Sequence, residues 1–401
     1  MAMVPIRLKG INLAQGLYKA KAPGSLMLMG EHAVLYGKPA LVVAIDQYIM
    51  VSLKPRDDRV IQLFSALGNL DISLDFLNSL DFLENRLNLE RANPSKLKRT
   101  DPSTLESLES SKMNSFKFVL TAIQSCQALL ASGFDSGFEL RIESEFSEKI
   151  GFGSSAAVVV ATIKVLHDFM NVNLPLFQVF QQARSVVLKV QGTGSGADVA
   201  ASVYGGVVYY QSDSIATLRS MEGFEGGKVG IEASKIKEAK IEKTEIAEVE
   251  ETKIEKLIQI DSDFPEIYAI YSGNKVPTPK VIELVQQNRA KHALLYEQIF
   301  DAMAVCTQQA RAAVLERDWI HFGQLMNIHH GLQSALSLSN NILESLVYHL
   351  RSFAGIVGAK ISGAGLGDCV IGIGNAVNIN NIDINIENMN TVKVVVLNHS
   401  C

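Results

Sequence analysis

Three glycine-rich segments, set far apart in the chain, constrain its fold more than any other feature of the sequence. They occupy residues 22–34, 151–157 and 360–367. The middle segment leads into an apolar stretch, residues 156–166, that is long enough to form a buried helix. A glycine turn that opens a helix presents unpaired N–H groups and the positive end of the helix dipole to a phosphate. We therefore predict a phosphate-binding loop formed by Gly151, Gly153, Ser154, Ser155 and Ala156.

The two serines of this loop have two interpretations. Ser154 and Ser155 stand at the predicted start of the helix, where a hydroxyl can cap the helix or bind a metal ion held against phosphate oxygens. In an isolated segment, an ordinary helix cap would be the better interpretation. The sequence contains neither of the two common glycine fingerprints for nucleotides, so the predicted phosphate site is of another kind.

Composition favours an enzyme acting on small molecules. The chain has 401 residues, of which 47% are hydrophobic, and can bury substantial cores in two or three domains. Its formal net charge of −5, spread along the chain, argues against nucleic acid or an anionic membrane as partner. The four cysteines form no Cys-x-x-Cys pair, and no apolar run reaches the roughly 18 residues of a membrane span. We expect reduced thiols and a cytoplasmic location.

Hydrophobic patterning predicts a mixture of strands and helices. Residues 39–45 and 48–53 are predicted as two strands separated by a turn at Asp46-Gln47, and residues 70–98 as mostly helix. Later strands are predicted at 137–144, 205–210, 370–373 and 392–397, and helices at 113–131, 155–170, 176–189, 279–289, 292–315, 321–332 and 341–353. The Lys/Glu-rich run 235–256 is typical of a solvated helix or surface extension, and less often of a partner-binding element.

In this order, the three segments resemble the motifs of the GHMP kinases, and the resemblance extends from Ala22 to the last predicted strand. It implies an α+β fold of two domains. The N-terminal domain, 1–211, would be similar to ribosomal protein S5 domain 2, and the C-terminal domain, 212–401, would be ferredoxin-like. The resemblance also implies ATP as phosphoryl donor, held by the middle segment together with Gly363 and Gly365, and Mg²⁺ as its companion ion.

Phosphoryl transfer to an alcohol further requires a group that orients or deprotonates the hydroxyl. Asp198 lies between a glycine-rich turn and a helix of small residues, so its carboxylate can approach a substrate closely. From the residues alone, an aspartate that caps this helix is an equal alternative. Segment 192–198 resembles the family segment that supplies the catalytic aspartate, and the resemblance assigns that role to Asp198.

The chain departs from the family pattern at two charged positions. Ser25 stands where mevalonate kinases carry a lysine that contacts both the aspartate and the transferred phosphate, and a serine cannot replace that charge. Val187 stands where animal-type mevalonate kinases carry a glutamate that binds magnesium. The resemblance then leaves Ser155 as the metal ligand, with Glu31 as an outer partner.

Two further departures from the family pattern lie before the second motif and in the third. Residues 146–150 stand where the family usually has proline and glycine. Within them, Lys149 could supply the positive charge missing at Ser25, although a solvated loop lysine is the more common case. The third motif carries Leu366 and Asp368 where glycines are usual in the family.

Substrate choice rests on the first motif and on a later loop. Segment 30–37 resembles mevalonate kinases, whereas 195–206 is closer to phosphomevalonate kinases. The resemblance implies phosphorylation of the primary hydroxyl of mevalonate, with substrate contacts from Glu31, His32, Lys275 and Thr278. Taken alone, His32 would be a hydrogen-bonded core histidine, and Lys275 would be either a contact for an acidic group of the substrate or, equally well, a solvated loop lysine. The doublet 329–330 is interpreted as structural, since adjacent helical residues point in different directions.

Two alternative functions and the oligomeric state stay open. The acceptor could be phosphomevalonate, which also belongs to this group of kinases. The chain could instead be a catalytically weak or inactive nucleotide-binding regulator on the same fold, because Ser25 and Val187 remove expected charges. Family members are often dimers, so a homodimer is also an open expectation.

Overall fold

The computed structural model describes residues 16–79, 112–130, 133–146, 151–212, 246–249, 252–376 and 394–397. The chain divides into two compact units that are interleaved in sequence. The first unit comprises Met1–Ala22, Ile49–Ser144 and Val158–Val190, and the second comprises Pro23–Tyr48, Glu145–Ala157 and Gln191–Cys401. These units are groups of mutually contacting residues, and the division of the chain at residue 211 remains a prediction.

The described elements follow one another in runs of strands and runs of helices. The strands are β1 (Tyr18–Met29), β2 (Ala40–Pro55), β3 (Val60–Ser65), β4 (Gly68–Ser73), β5 (Phe138–Ser144), β6 (Val207–Ser212), β7 (Ile246–Val249), β8 (Thr252–Ile258), β9 (Glu266–Tyr271), β10 (Ile356–Ser362), β11 (Cys369–Gly374) and β12 (Val394–Leu397). The helices are α1 (Leu74–Ser79), α2 (Lys117–Gln127), α3 (Ser154–Phe169), α4 (Leu176–Gln191), α5 (Ala197–Tyr204), α6 (Thr278–Lys291), α7 (Ala293–Glu316), α8 (Trp319–Ala335) and α9 (Asn341–Arg351). A 3-10 helix, Ala33–Tyr36, follows β1.

In the first unit, β3 pairs antiparallel with β4 and parallel with β5. Alternate residues of these strands are fully buried, namely Ile61, Leu63, Phe138 and Leu140. This period of two places one face of the sheet against the core. The predicted helix over 70–98 is wrong at its start, because β4 continues to Ser73; α1 follows it, and residues 80–98 lie outside the described residues.

Strand β2 corrects a second prediction. The sequence suggested two strands with a turn at Asp46-Gln47, but β2 runs without interruption from Ala40 to Pro55. Its first part pairs with β6 and its last part, from Ile49, pairs with β5. Neither Asp46 nor Gln47 imposes the positive φ of a tight turn, so the ladder partners on each side keep the strand extended.

In the second unit, four antiparallel strands form a sheet in the order β10-β11-β9-β12. Helix α9 places its apolar side against this sheet, and its residues Leu343, Leu346, Val347 and Leu350 share one buried cluster with Tyr268. Helix α8 lies close to β10 where Gly323 meets Gly358: a methyl group on Gly358 would be 2.3 Å from the Gly323 carbonyl oxygen. Glycine at both positions permits this approach.

The Lys/Glu-rich run is the third correction. Where it is described, it forms β7 and the greater part of β8, which pair antiparallel, and not a helix. In β8, Thr252, Ile254 and Glu255 are buried, because the strand continues the sheet beside β6. Arg311 donates to both carboxylate oxygens of Glu255, at 2.6 and 3.2 Å, so the buried carboxylate of this strand is paired.

Within the described ranges, none of the helices is sufficiently long and apolar to cross a membrane.

Candidate active site

The predicted phosphate loop opens helix α3, as expected from its glycines. The helix begins at Ser154, and the preceding Gly153 has a φ of +66°, a conformation that favours glycine. A methyl group on Gly153 would lie only 2.3 Å from Ser25 Oγ. The Ser25 N–H donates to the Phe152 carbonyl at 3.0 Å, so the first and second glycine segments are hydrogen-bonded to each other.

Asp198 lies in the first turn of α5, which begins directly after Gly196 in a left-handed conformation (φ +88°). Gly196, and not the aspartate, is therefore the N-cap residue. Asp198 Oδ1 accepts the N–H of Val199 at 2.9 Å. Further along α5, Ser202 Oγ donates to the Pro23 carbonyl at 2.9 Å. The aspartate helix is thus attached to the first glycine segment, two residues before Ser25.

Burial raises the pKa of Asp198 above its ordinary value of 3.8, although part of the side chain remains exposed. The two backbone hydrogen bonds that lower the pKa do not outweigh burial. Among the described residues, no basic side chain contributes to this shift. This agrees with the loss of the cation expected at Ser25, and it makes the Asp198 carboxylate a stronger base.

A buried ion pair joins the first and third motifs. Lys360 Nζ donates to Glu31 Oε1 and, at 2.5 Å, to the Ile361 carbonyl, and both side chains are almost fully buried. Burial raises the pKa of Glu31, while Lys360 and the Gly363 backbone lower it. Burial likewise lowers the pKa of Lys360 against the opposing effect of Glu31. Lys360 is a residue of this site that sequence reasoning missed, although it is the first residue of the third motif.

Two histidines complete this buried network. His32 Nε2 lies 2.7 Å from the Ala364 carbonyl, which only accepts, so Nε2 carries the proton. Burial lowers the His32 pKa and keeps the ring neutral. His329 Nε2 accepts the Gly30 N–H at 2.9 Å, and burial together with Lys360 lowers its pKa well below 6.5. His329, which the sequence indicated only as structural, therefore positions the backbone of the first motif.

Two glycines of the third motif have conformations that favour glycine, and one of them packs closely against Leu338. Gly363 and Gly365 have φ values of +90° and +88°, and a methyl group on Gly365 would lie 2.6 Å from the Leu338 carbonyl oxygen. Asn340 caps α9 by accepting the Leu343 N–H, and its side-chain amide donates to the Leu366 carbonyl of the motif. Phosphate binding by Gly363 and Gly365 remains a prediction.

The first and second glycine segments, the Asp198 helix and the third motif are thus joined within the second unit. Comparison with known proteins matches two parts of the chain to one family. The family model described as GHMP kinases N terminal domain matches residues 117–206, and the model described as GHMP kinases C terminal matches residues 310–382. The chain therefore carries the N- and C-terminal domains of the GHMP kinases. The predicted two-domain α+β GHMP kinase fold is confirmed.

Individual relatives of this GHMP kinase agree with the family assignment. The chain is 27% identical over 365 residues to the mevalonate kinase of Pyrococcus abyssi, covering 88% of each chain. L. major mevalonate kinase in complex with R-mevalonate is 21% identical, with a TM-score of 0.63 and coverage of 92% of this chain and 90% of that one. Streptococcus pneumoniae phosphomevalonate kinase in complex with phosphomevalonate and AMPPNP is 18% identical, with a TM-score of 0.65 and coverage of 90% and 92%. At these identities the solved structures support the fold.

The remaining positions singled out in the sequence differ in their exposure to solvent. Lys275 and Thr278 are exposed, in the loop after β9 and at the start of α6. Val187 is buried in α4 and offers no oxygen ligand. Lys149 lies outside the described residues, so its role as a replacement cation stays a prediction.

The oxygen groups of the site fit a magnesium ion that shares its coordination with phosphates. In the part of the chain that the structure describes, no three His, Cys, Asp or Glu side chains group to hold a metal alone. Mg²⁺ usually keeps several waters and takes one or two carboxylates together with substrate phosphates. Ser155, the second residue of α3, carries a hydroxyl in the first turn of the helix, whereas Glu31 is already paired with Lys360. The assignment of Ser155 and Glu31 as metal ligands remains a prediction.

Proposed function

We propose that this GHMP kinase is a mevalonate kinase, which transfers the γ-phosphoryl group of ATP to the primary hydroxyl of mevalonate. The curated relatives that match nine-tenths of the chain are named mevalonate kinase, which favours mevalonate over phosphomevalonate as acceptor. Membership of a kinase family likewise favours an enzyme over the inactive regulator.

One observation carries the proposal at the level of chemistry: the aspartate helix, the first motif and the phosphate loop are hydrogen-bonded in series. Ser202 of α5 donates to Pro23, and Ser25 donates to Phe152 of the loop. The loop supplies backbone N–H groups and a helix N-terminus for the nucleotide phosphates. Asp198 supplies a carboxylate for the acceptor alcohol.

In the proposed reaction, the acceptor oxygen forms a bond to the γ-phosphorus while the bond from that phosphorus to the β,γ-bridging oxygen breaks. The hydroxyl proton passes to a carboxylate oxygen of Asp198. Because burial raises the pKa of Asp198, this carboxylate holds a proton more readily than an exposed aspartate. A bound Mg²⁺ would neutralise charge on the phosphate oxygens.

We also propose Mg²⁺ as the metal ion, a cytoplasmic location and a homodimeric assembly. ATP as the donor follows from the family. The substrate contacts of Glu31, His32, Lys275 and Thr278 also stay proposals. Glu31 and His32 are buried, whereas Lys275 and Thr278 are exposed.

A coupled assay of ADP release with ATP and either mevalonate or 5-phosphomevalonate tests the function, with the product identified by phosphorus NMR. We expect turnover on mevalonate. Turnover only on 5-phosphomevalonate, or ATP binding without transfer to either alcohol, would reject the proposal.

The role of Asp198 is tested separately. Asp198→Asn should lower kcat by roughly 10²- to 10⁴-fold, because proton transfer to a positioned base is worth about this factor. Its affinity for AMPPNP, measured by calorimetry, should stay close to that of the unaltered protein. The exposed Asp135 provides the matched control, since Asp135→Asn makes the same chemical change and should leave kcat unaltered. Full activity of Asp198→Asn would exclude a catalytic role.

A further inference from the structure

Asp368 is an acidic residue of the third motif that lies directly against the phosphate loop. A methyl group on Gly151 would be 3.0 Å from Asp368 Cγ and 3.1 Å from its Oδ1. On the other side, a methyl group on Gly363 would be 3.8 Å from Asp368 Oδ2. The carboxylate therefore lies between a glycine of the second motif and a glycine of the third.

The backbone fixes this carboxylate in place. Asp368 adopts a φ of +60°, and its N–H donates to the Asn274 carbonyl at 2.8 Å. Its own carbonyl accepts the Ser272 N–H, also at 2.8 Å. These bonds join the third motif to the loop after β9. They hold Asp368 in the left-handed conformation, which is uncommon for residues other than glycine.

One oxygen of this carboxylate lacks a partner. Asp368 is 6% exposed, and its Oδ1 has no hydrogen-bond partner among the residues that the structure describes. Leaving a buried charged oxygen unpaired is costly, so such an atom points to a ligand. Burial raises the pKa of Asp368, and the charge of Lys275 lowers it.

A carboxylate beside a loop that holds phosphates would repel them unless a cation lay between the two. Mg²⁺ and Mn²⁺ bind carboxylate and phosphate oxygens together. At the position where the resemblance to animal-type mevalonate kinases implies a carboxylate for this ion, the chain has the buried Val187. Glu31 is a weaker candidate because Lys360 already neutralises it.

We infer that Asp368 is a ligand of the divalent cation that accompanies the nucleotide, so that the third motif supplies the carboxylate missing at Val187. This inference rests on the proposed function, because it assumes that the loop binds nucleotide phosphates. Asp368 would coordinate the metal through Oδ1, on the side that faces Gly151.

Manganese binding tests this assignment without relying on turnover. The full-length protein is saturated with AMPPNP and titrated with Mn²⁺, and free Mn²⁺ is followed by electron paramagnetic resonance. Asp368→Asn keeps the shape of the side chain and removes its charge, and should raise the Mn²⁺ Kd at least about tenfold, the lower range for groups that support a metal site. Asp368→Gly should do the same, and glycine accepts the φ of +60° without strain.

The controls separate the possible outcomes. Asp135→Asn should leave the Mn²⁺ Kd unchanged, and Lys275→Ala should not weaken Mn²⁺ binding. If Asp368→Asn and Asp368→Gly both bind Mn²⁺ as tightly as the unaltered protein, Asp368 is not a ligand, while the proposed function stands as long as the unaltered protein phosphorylates mevalonate. If the unaltered protein binds no Mn²⁺ with AMPPNP and does not phosphorylate mevalonate, both proposals are wrong.

Discussion

Replacement of Lys360 by methionine should destabilise the second unit strongly. Methionine has a similar length but no charge, so Lys360→Met leaves Glu31 buried without its cation and the Ile361 carbonyl without its donor. Glu31 and Lys360 have side-chain exposures of 2% and 0%, so water cannot replace the lost partner. Breaking one partner of such a pair costs about 3–5 kcal/mol of unfolding free energy.

Replacing both Lys360 and Glu31 should lower the unfolding free energy much less than replacing Lys360 alone. Burial shifts the pKa of both residues towards the neutral form despite their mutual attraction, which means that desolvation outweighs the pairing at each site. Glu31→Gln in the Lys360→Met background removes the buried charge altogether. We expect this variant to recover most of the lost stability, as when a buried ion pair is replaced by neutral side chains.

The defect of Lys360→Met should also depend on pH. Without Lys360, the Glu31 pKa rises further above its ordinary value of 4.5. A carboxyl whose pKa is raised on folding costs stability above its unfolded pKa, and this cost disappears as the pH falls towards that value. The difference from the unaltered protein should therefore be largest near neutral pH and shrink towards pH 4.5.

Urea unfolding followed by tryptophan fluorescence measures this effect. Trp319 is the single tryptophan of the chain and lies at the start of α8, in the same unit as Lys360. Lys38→Met is the matched control, because Lys38 pairs with the exposed Asp301 and the loss of such a pair costs about 0–1 kcal/mol. A loss of stability in Lys360→Met no larger than in Lys38→Met would contradict the prediction, and so would a double variant as unstable as Lys360→Met.

Three other predictions follow from the contacts of the second unit. The activity should fall at low pH with an apparent pKa above 3.8, because burial raises the pKa of Asp198 and protonation removes the base; an ordinary aspartate pKa in the kcat profile would contradict this. Gly153→Ala should lower the unfolding free energy by about 1–3 kcal/mol, because alanine is strained at a φ of +66°, and should weaken AMPPNP binding. Adding Ser25→Ala should restore only the part of this loss that comes from the contact with Ser25 Oγ. Full restoration would mean that the backbone is unstrained. Arg311→Ala should cost roughly 1–3 kcal/mol in urea unfolding by leaving the buried Glu255 unpaired, and Arg311→Lys should cost less; equal losses would show that the charge is unimportant.

Local chemistry explains which parts of the fold could be predicted from the sequence. The phosphate loop was identifiable because its glycines and the apolar run of α3 are adjacent in the chain, and the family resemblance was carried by three such local motifs. Helices α4, α6, α7, α8 and α9 were expected within a few residues, because each has a continuous apolar pattern. Strand β2 was divided wrongly because the sequence does not show which ladder partners hold Asp46 and Gln47 in an extended strand.

Residues close together in the chain were enough to indicate the family, to place the predicted phosphate loop at the start of α3, and to single out Asp198 as the candidate base. By contrast, the pairing of Lys360 with Glu31, 329 residues away, and the bond from Ser202 to Pro23 across 179 residues became visible only in the folded chain. Likewise, the sequence marked Asp368 only as a departure from glycine, and the fold brought it against Gly151. Such pairs form only when the chain has folded, because the energy of a buried charge depends on neighbours that packing supplies.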